Sequence, residues 1–167
     1  KTAVVSAAGQ DFAEYRAFME SKGIDTRGIK AIENEFTASC FINTDFSNNQ
    51  IVDFYPGAVV HARDVAMASL GLEKGDWVII SPTDPESMAR HTAEGKAAGV
   101  SYIFDPGKQV QRLDRAQIMA GLDGCSVFVG NDYEFGMMAK MTGLTEQQLF
   151  DMAPLTVITR GEEGSRF

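Results

Sequence analysis

Positive charge is scarce in this chain, and so are the residues that bind soft metals or form cross-links. The 15 lysines and arginines stand against 23 aspartates and glutamates, a formal charge of −8 over 167 residues. That balance argues against coating a nucleic acid, a role that wants a basic face. It still permits one small anionic ligand, because a local array of backbone N–H groups binds phosphate against an unfavourable global charge. With only His61 and His91, and no clustering of Cys with His, a zinc site is not expected. Cys40 and Cys125 lie far apart in apolar contexts, which predicts two buried, reduced thiols rather than a disulfide. No apolar run approaches the ~20 residues needed to span a bilayer, and the sequence opens on no basic-then-apolar leader. A cytoplasmic protein without a membrane partner is therefore expected.

What is present describes an ordinary globular chain: 44% hydrophobic and 10% aromatic residues, in a length that fits one domain with a sizeable core. Lys1 runs straight into Thr2-Ala3-Val4-Val5-Ser6, and the sequence stops at Phe167, two residues after Gly164-Ser165. Neither end shows the polar fringe of a domain boundary, so the sequence reads as an excerpt of a longer chain.

Helical and strand-like patterns alternate. Asp11 to Lys22 places Phe12, Tyr15, Phe18 and Met19 at helical spacing before Gly23. Trp77-Val78-Ile79-Ile80 reads as a buried strand, and Asp84-Pro85 then opens a helix that ends at Gly99. Strands at Val100 to Phe104, Ser126 to Val129 and Leu155 to Thr159 alternate with helices near Arg115 to Leu122, Tyr133 to Met141 and Thr145 to Met152. Short, doubly buried strands separated by amphipathic helices mean βα units and a mostly parallel sheet. One region breaks the rhythm. Thr37 to Thr44 and Gln50 to Tyr55 are strand-like runs joined by polar Asp45 to Asn49 with no helix between, which predicts an antiparallel hairpin. It reads either as an edge hairpin or as a flap over a site.

Several turns fall where strands end: Ser81-Pro82-Thr83-Asp84, Asp105-Pro106-Gly107, Asn131-Asp132-Tyr133-Glu134, and Thr159-Arg160-Gly161-Glu162-Glu163-Gly164-Ser165. In an open α/β sheet that edge is where ligands bind, since helix N-termini and their free N–H groups face the crevice. Asn131 and Glu134, three apart at a strand-to-helix junction, can serve a phosphate-bound Mg²⁺ directly or through its waters. The same spacing is also a helix-capping pair. Gly161 and Gly164 allow close approach of backbone N–H groups to a phosphate, and Thr159 adds a hydroxyl; such glycine pairs also make plain tight turns.

The order of these elements resembles the ribokinase-like superfamily of sugar and nucleoside kinases, nearest to its bacterial adenosine-kinase type. The resemblance runs through Gly9-Gln10-Asp11-Phe12, Gly23-Ile24-Asp25-Thr26, Asn49-Gln50-Ile51, Phe54-Tyr55-Pro56-Gly57-Ala58, Phe104-Asp105-Pro106-Gly107, Asn131 to Glu134 and Thr159 to Ser165. It implies a three-layer α/β sandwich, with residues 1–167 as the central part of one kinase domain and residues 37–55 as its lid hairpin. It also implies phosphoryl transfer from ATP to the hydroxymethyl group of a nucleoside, adenosine foremost. Asn131 and Glu134 match the family's Asn-x-x-Glu motif, which organises Mg²⁺, its waters and the phosphates. Thr159, Gly161 and Gly164 match the turn that lies against ATP. The hairpin corresponds to the lid, with Phe41, Phe54 and Tyr55 as the aromatics that would stack on a base, and the lid implies a homodimer.

The sequence also departs from the family. Its catalytic aspartate sits in a Gly-Ala-Gly-Asp turn that does not occur among these residues, so no residue here is assigned as catalytic and the chain alone is expected to be inactive. The Gly-Gly and Asn acceptor-binding motifs expected near the family's N-terminus do not occur here either. Asp105 is explained as a turn residue beside Pro106 and Gly107. A sugar kinase of the same superfamily, a non-catalytic nucleotide-binding module and a plain interaction domain remain open at this point.

Overall fold

The structure is a computed structural model that describes residues 1–47 and 49–167. Asn48, in the polar connection expected at 45–49, lies outside the described residues. The chain divides into two compact units, Lys1–Val65 and Ala66–Phe167.

In the first unit the expected opening strand is broken in two. β1 (Thr2–Ala3) and β2 (Ser6–Ala8) precede helix α1 (Ala13–Ser21), followed by β3 (Ile24–Asp25) and β4 (Ile29–Ala31). β1 pairs in parallel with β3, and β2 with β4. Helix α1 starts at Ala13 rather than at Asp11. The Asp11 carboxylate does not cap it, because Oδ1 accepts hydrogen bonds from the N–H and hydroxyl of Thr37 instead. Only part of the expected apolar face is buried. Phe12 and Met19 join Ala8 and Ile29 in a small core, whereas Tyr15 and Phe18 are exposed and stack on each other with ring centroids 6.0 Å apart.

The hairpin forms as expected from β5 (Ser39–Thr44) and β6 (Gln50–Tyr55), antiparallel, with register Ser39↔Tyr55 through Thr44↔Gln50. A 3₁₀ segment, Gly57–Asp64, follows it. Cys40 is exposed on β5, contrary to the buried thiol expected; Cys125 is buried, and both are free. An apolar sequence context at Cys40 reflects the hairpin's own composition, not a core.

The second unit contains β7 (Trp77–Ile80), α2 (Pro85–Ala98), β8 (Ser101–Phe104), α3 (Arg115–Leu122), β9 (Val127–Asn131), α4 (Asp132–Thr142), α5 (Glu146–Phe150), β10 (Leu155–Thr159) and β11 (Ser165–Arg166). The sheet order is β11-β10-β9-β8-β7, with β7 to β10 parallel and β11 antiparallel at the edge. Each consecutive pair of parallel strands is joined through helix, the crossover that parallel pairing requires. Local signals set the helix ends. Asp84 caps α2 by accepting from Glu86 N and Ser87 N at 3.1 and 3.2 Å, with Pro85 in the first turn and Gly99 at φ 67° as terminator.

Alternate strand residues meet the helices. Ile80, Tyr102, Phe104, Phe128 and Ile158 pack with Met88 of α2, Ile118 and Leu122 of α3, Phe135 and Met138 of α4, and Leu149 of α5. Phe104, Phe128 and Phe135 form a file of rings with centroids 6.4 and 5.8 Å apart. The strands are therefore not all buried on both faces. Trp77, Ile79 and Leu155 point away from this core and are exposed, so the apolar run at 77–80 is an alternating edge strand, not a doubly buried one. Among the described residues no helix is long and apolar enough to cross a membrane.

Candidate functional site

Parallel strands deliver their following turns to one edge of a sheet, and here four turns arrive there. The Ser81 turn follows β7, Asp105-Pro106-Gly107 follows β8, Asn131 closes β9 and Thr159 closes β10. The register fixes two of them side by side, because Thr159 of β10 is the pairing partner of Asn131 of β9. The first two turns touch as well: a Cβ at Gly107 would stand 2.5 Å from Pro82 Cγ, so a bare backbone is required there.

The capping reading of Asn131 and Glu134 is realised. Asn131 Oδ1 accepts from Glu134 N at 2.8 Å, and Glu134 Oε2 accepts from Asn131 N at 2.9 Å, the reciprocal capping box. This does not exhaust the pair. Each cap bond occupies one oxygen, so Glu134, only 8% exposed, keeps its Oε1 for another partner. Tyr133 and Asp132 between them are exposed.

Asp105, read from the sequence as a turn residue, belongs to the same edge. Its carboxyl is pushed above the ordinary aspartate range, first by burial and then by the negative charge of Glu134; a hydrogen bond from Gly107 N–H pulls the other way. Nothing local in the sequence signals this pairing, since it depends on β8 and β9 being neighbours. A raised folded-state pKa means that the folded chain holds the proton more tightly than the unfolded one. Its stabilising effect is complete below the unfolded value of 3.8 and lost as pH rises through the folded value. Asp105→Asn keeps an acceptor for Gly107 and carries no charge. It is expected to raise Tm near pH 7 and to gain nothing below about pH 4. Equal gains at both pH values in thermal unfolding would show that charge is not the cause.

Two carboxylates that repel each other, next to an amide oxygen, make a partial donor set for a hard cation. Among the described residues no group of three or more His, Cys, Asp or Glu side chains could hold a metal ion by itself. Mg²⁺ is a hard cation that keeps most of its waters and takes one or two carboxylates plus phosphate oxygens.

Beyond Thr159 the chain turns tightly. Arg160 N donates to Gly164 O at 2.8 Å and Gly164 N to Gly161 O at 3.1 Å. Gly161 has φ 56° and Gly164 φ 84° with ψ −129°. A Cβ at either would meet nothing within 4 Å. The space before the turn is thus open, and the conformation, not crowding, calls for glycine.

The hairpin separates the three aromatics named from the sequence. Residues paired across an antiparallel ladder share a face, and neighbours along a strand alternate. Phe41, paired with Asp53, and Tyr55, paired with Ser39, lie on one face with Ile51; Phe54, paired with Cys40, lies on the other with Ile42 and Val52. All three are exposed, and they cannot all stack on one base.

Comparison with known proteins gives this geometry a family. A nucleoside kinase of Methanothermobacter thermautotrophicus is 31% identical over 168 residues, covering 99% of this chain and 54% of that protein. A Burkholderia thailandensis nucleoside kinase, solved with inosine, superposes with a TM-score of 0.86 at 30% identity over 96% of this chain and 52% of that one. A Methanocaldococcus jannaschii nucleoside kinase, an archaeal member of the ribokinase family, shares the fold with a TM-score of 0.82 at 21% identity, covering 98% of this chain and 54% of its own. The chain spans about half the length of the curated relatives it matches. The pfkB family carbohydrate kinase model matches all of residues 1–167, and on that match the chain belongs to the pfkB family of carbohydrate kinases.

Proposed function

We propose that the protein carrying this chain is an ATP-dependent nucleoside kinase that phosphorylates the 5′-hydroxyl of a purine nucleoside, adenosine foremost, and that both units belong to one kinase domain. The observation that carries this reading is the pairing of Asn131 with Thr159, which sets an amide–carboxylate pair beside an open glycine turn. The substrate class draws on the nucleoside kinases among its relatives and on the Burkholderia protein, which has been solved with inosine and with ADP–inosine.

In this reading the turn Thr159–Gly164 lies along the ATP phosphates, with backbone N–H groups and the Thr159 hydroxyl as donors. Asn131 and Glu134 would hold the nucleotide's Mg²⁺ through its waters, with Asp105 as a second carboxylate at the same edge. Mg²⁺ supplies neutralisation of charge on the transferring phosphoryl group. Such catalysis is mainly positioning and electrostatic, so small displacements at this edge cost much of the rate. The general base is assigned to no residue of this chain. The hairpin acts as a lid over the acceptor, excluding water so that ATP is not simply hydrolysed. One of its apolar faces, Phe41 and Tyr55 or Phe54, stacks on the base; the other serves a second copy of the chain in a homodimer. A cytoplasmic setting is part of the same reading.

The test is ADP release by the full-length protein with ATP, Mg²⁺ and a panel of adenosine, inosine, ribose and fructose 6-phosphate. Adenosine or inosine is expected to give the highest kcat/KM. A stronger signal from either sugar would move the protein to the sugar-kinase side of the family, and nucleotide binding without turnover of any acceptor would make it a non-catalytic module.

A further inference from the structure

A two-stranded hairpin with both faces exposed is marginal by itself, so its placement depends on what holds its two feet. The first foot, Glu35 to Thr37, is tied to the turn before α1 by four hydrogen bonds. Gln10 N donates to Glu35 O at 2.9 Å, and Gly9 N donates to Thr37 Oγ1 at 2.9 Å. Thr37 in turn donates twice to a single oxygen, Asp11 Oδ1, through its N–H at 2.8 Å and its hydroxyl at 2.7 Å. The second foot closes on the first: Ala58 N donates to Phe36 O at 2.9 Å, and His61 Nε2 lies 2.8 Å from Glu35 Oε1.

Backbone contact is close enough to demand glycine on both sides. A Cβ at Gly9 would fall 2.3 to 2.4 Å from the backbone of Glu35, Phe36 and Thr37, and one at Gly57 would fall 2.2 Å from Phe36 O. Asp11 itself is exposed and Thr37 half-buried, so their part of the anchor is polar and reaches solvent, whereas Gly57 and Ala58 of the second foot are buried. An apolar anchor would lock the hairpin by burial. Hydrogen bonds at the surface exchange readily with water and can open and re-form. The Asp11 carboxyl is held below the ordinary aspartate range, first by the Thr37 hydroxyl and then by its N–H, so the acceptor is charged at neutral pH.

We propose that Asp11 and Thr37 form a polar clamp that governs opening of the Ser39–Tyr55 hairpin, and that they thereby act as positioning residues for acceptor binding. The second half rests on the nucleoside-kinase reading and the lid role given to the hairpin there. Neither residue touches substrate in this scheme. The Thr37 hydroxyl donates to Asp11 and accepts from Gly9, so valine there removes both of those bonds and leaves only the N–H of residue 37 donating to Asp11.

The experiment compares full-length wild type with Thr37→Val, Thr37→Ser and the milder Asp11→Asn, by amide hydrogen exchange and steady-state kinetics. Thr37→Val is expected to speed exchange of the 39–55 amides roughly tenfold while β7 to β10 stay at wild-type rates, tenfold corresponding to ~1.4 kcal/mol. KM for the nucleoside should rise roughly tenfold as well, with KM for ATP unchanged and ADP release without acceptor increased. Thr37→Ser should restore wild-type behaviour, and Asp11→Asn should fall between. Unchanged hairpin exchange in Thr37→Val overturns the clamp. Faster exchange with unchanged nucleoside KM overturns the positioning role. If wild type phosphorylates no nucleoside, the functional reading fails, and the exchange data still decide the clamp.

Discussion

Glu134→Gln in the full-length protein is expected to lower kcat by roughly 10²–10³-fold, the usual cost of removing one preorganised charge-stabilising group. Its stability should not fall, because the cap survives and a repulsion with Asp105 is removed. The two effects separate because Glu134 has two jobs on different atoms. Its Oε2 accepts from Asn131 N in the capping box, and glutamine performs that task equally well. Its negative charge is what a metal-bound water needs, and glutamine lacks it. Removing that charge also relieves Asp105, whose proton affinity Glu134 raises. Glu134→Ala loses both jobs and should add a capping loss of about 1 kcal/mol. The check is kcat beside urea unfolding for both variants. Turnover per folded molecule that stayed constant in Glu134→Gln would leave capping as the whole role of this residue.

Gly164→Ala should strike the nucleotide and spare the acceptor. Gly164 combines φ 84° with ψ −129°, a conformation that costs an L-residue about 1–3 kcal/mol. The added methyl would meet no protein atom within 4 Å, so any effect must come through the backbone or through a ligand. Re-forming the turn would move the N–H groups assigned to the phosphates, and KM for ATP is expected to rise roughly 10- to 100-fold, with KM for the nucleoside unchanged. Gly161→Asn is the companion variant. At φ 56° asparagine is tolerated, so loss of ATP affinity there would report close approach of the ligand rather than strain. A matched loss of nucleoside affinity in Gly164→Ala would show that the turn supports the site generally and does not face the phosphates.

These expectations show which parts of the molecule could be read from residues alone. Elements with local causes were legible. Asp84-Pro85 and Gly99 bound α2 as expected, Thr145 with Gln148 and Asn131 with Glu134 cap their helices, and the hairpin register brings Thr44 opposite Gln50. What failed depended on partners distant in sequence. Asp11 does not start α1 because Thr37 claims its carboxylate. Cys40 is exposed because the hairpin around it packs on no core. Trp77 and Ile79 form an apolar run with Val78 and Ile80, yet only Ile80 is fully buried and Val78 partly so. The site divides along the same line. Asn131, Glu134, Thr159, Gly161 and Gly164 stand in motifs with recognisable spacing, whereas Asp105 becomes a neighbour of Glu134 only through the pairing of β8 with β9. Strand parity places Phe54 on the opposite face from Phe41 and Tyr55, a separation that a list of exposed aromatics conceals.

The most direct measurement is a crystal structure of the full-length protein with ADP and Mn²⁺, read from the anomalous signal of the metal. If these strand ends grip the nucleotide, the β-phosphate lies within hydrogen-bonding reach of the Thr159–Gly164 turn, and the Mn²⁺ peak stands no more than one bridging water from Glu134. A nucleotide bound away from this edge, or a metal with neither Asn131, Glu134 nor Asp105 in its surroundings, would contradict it.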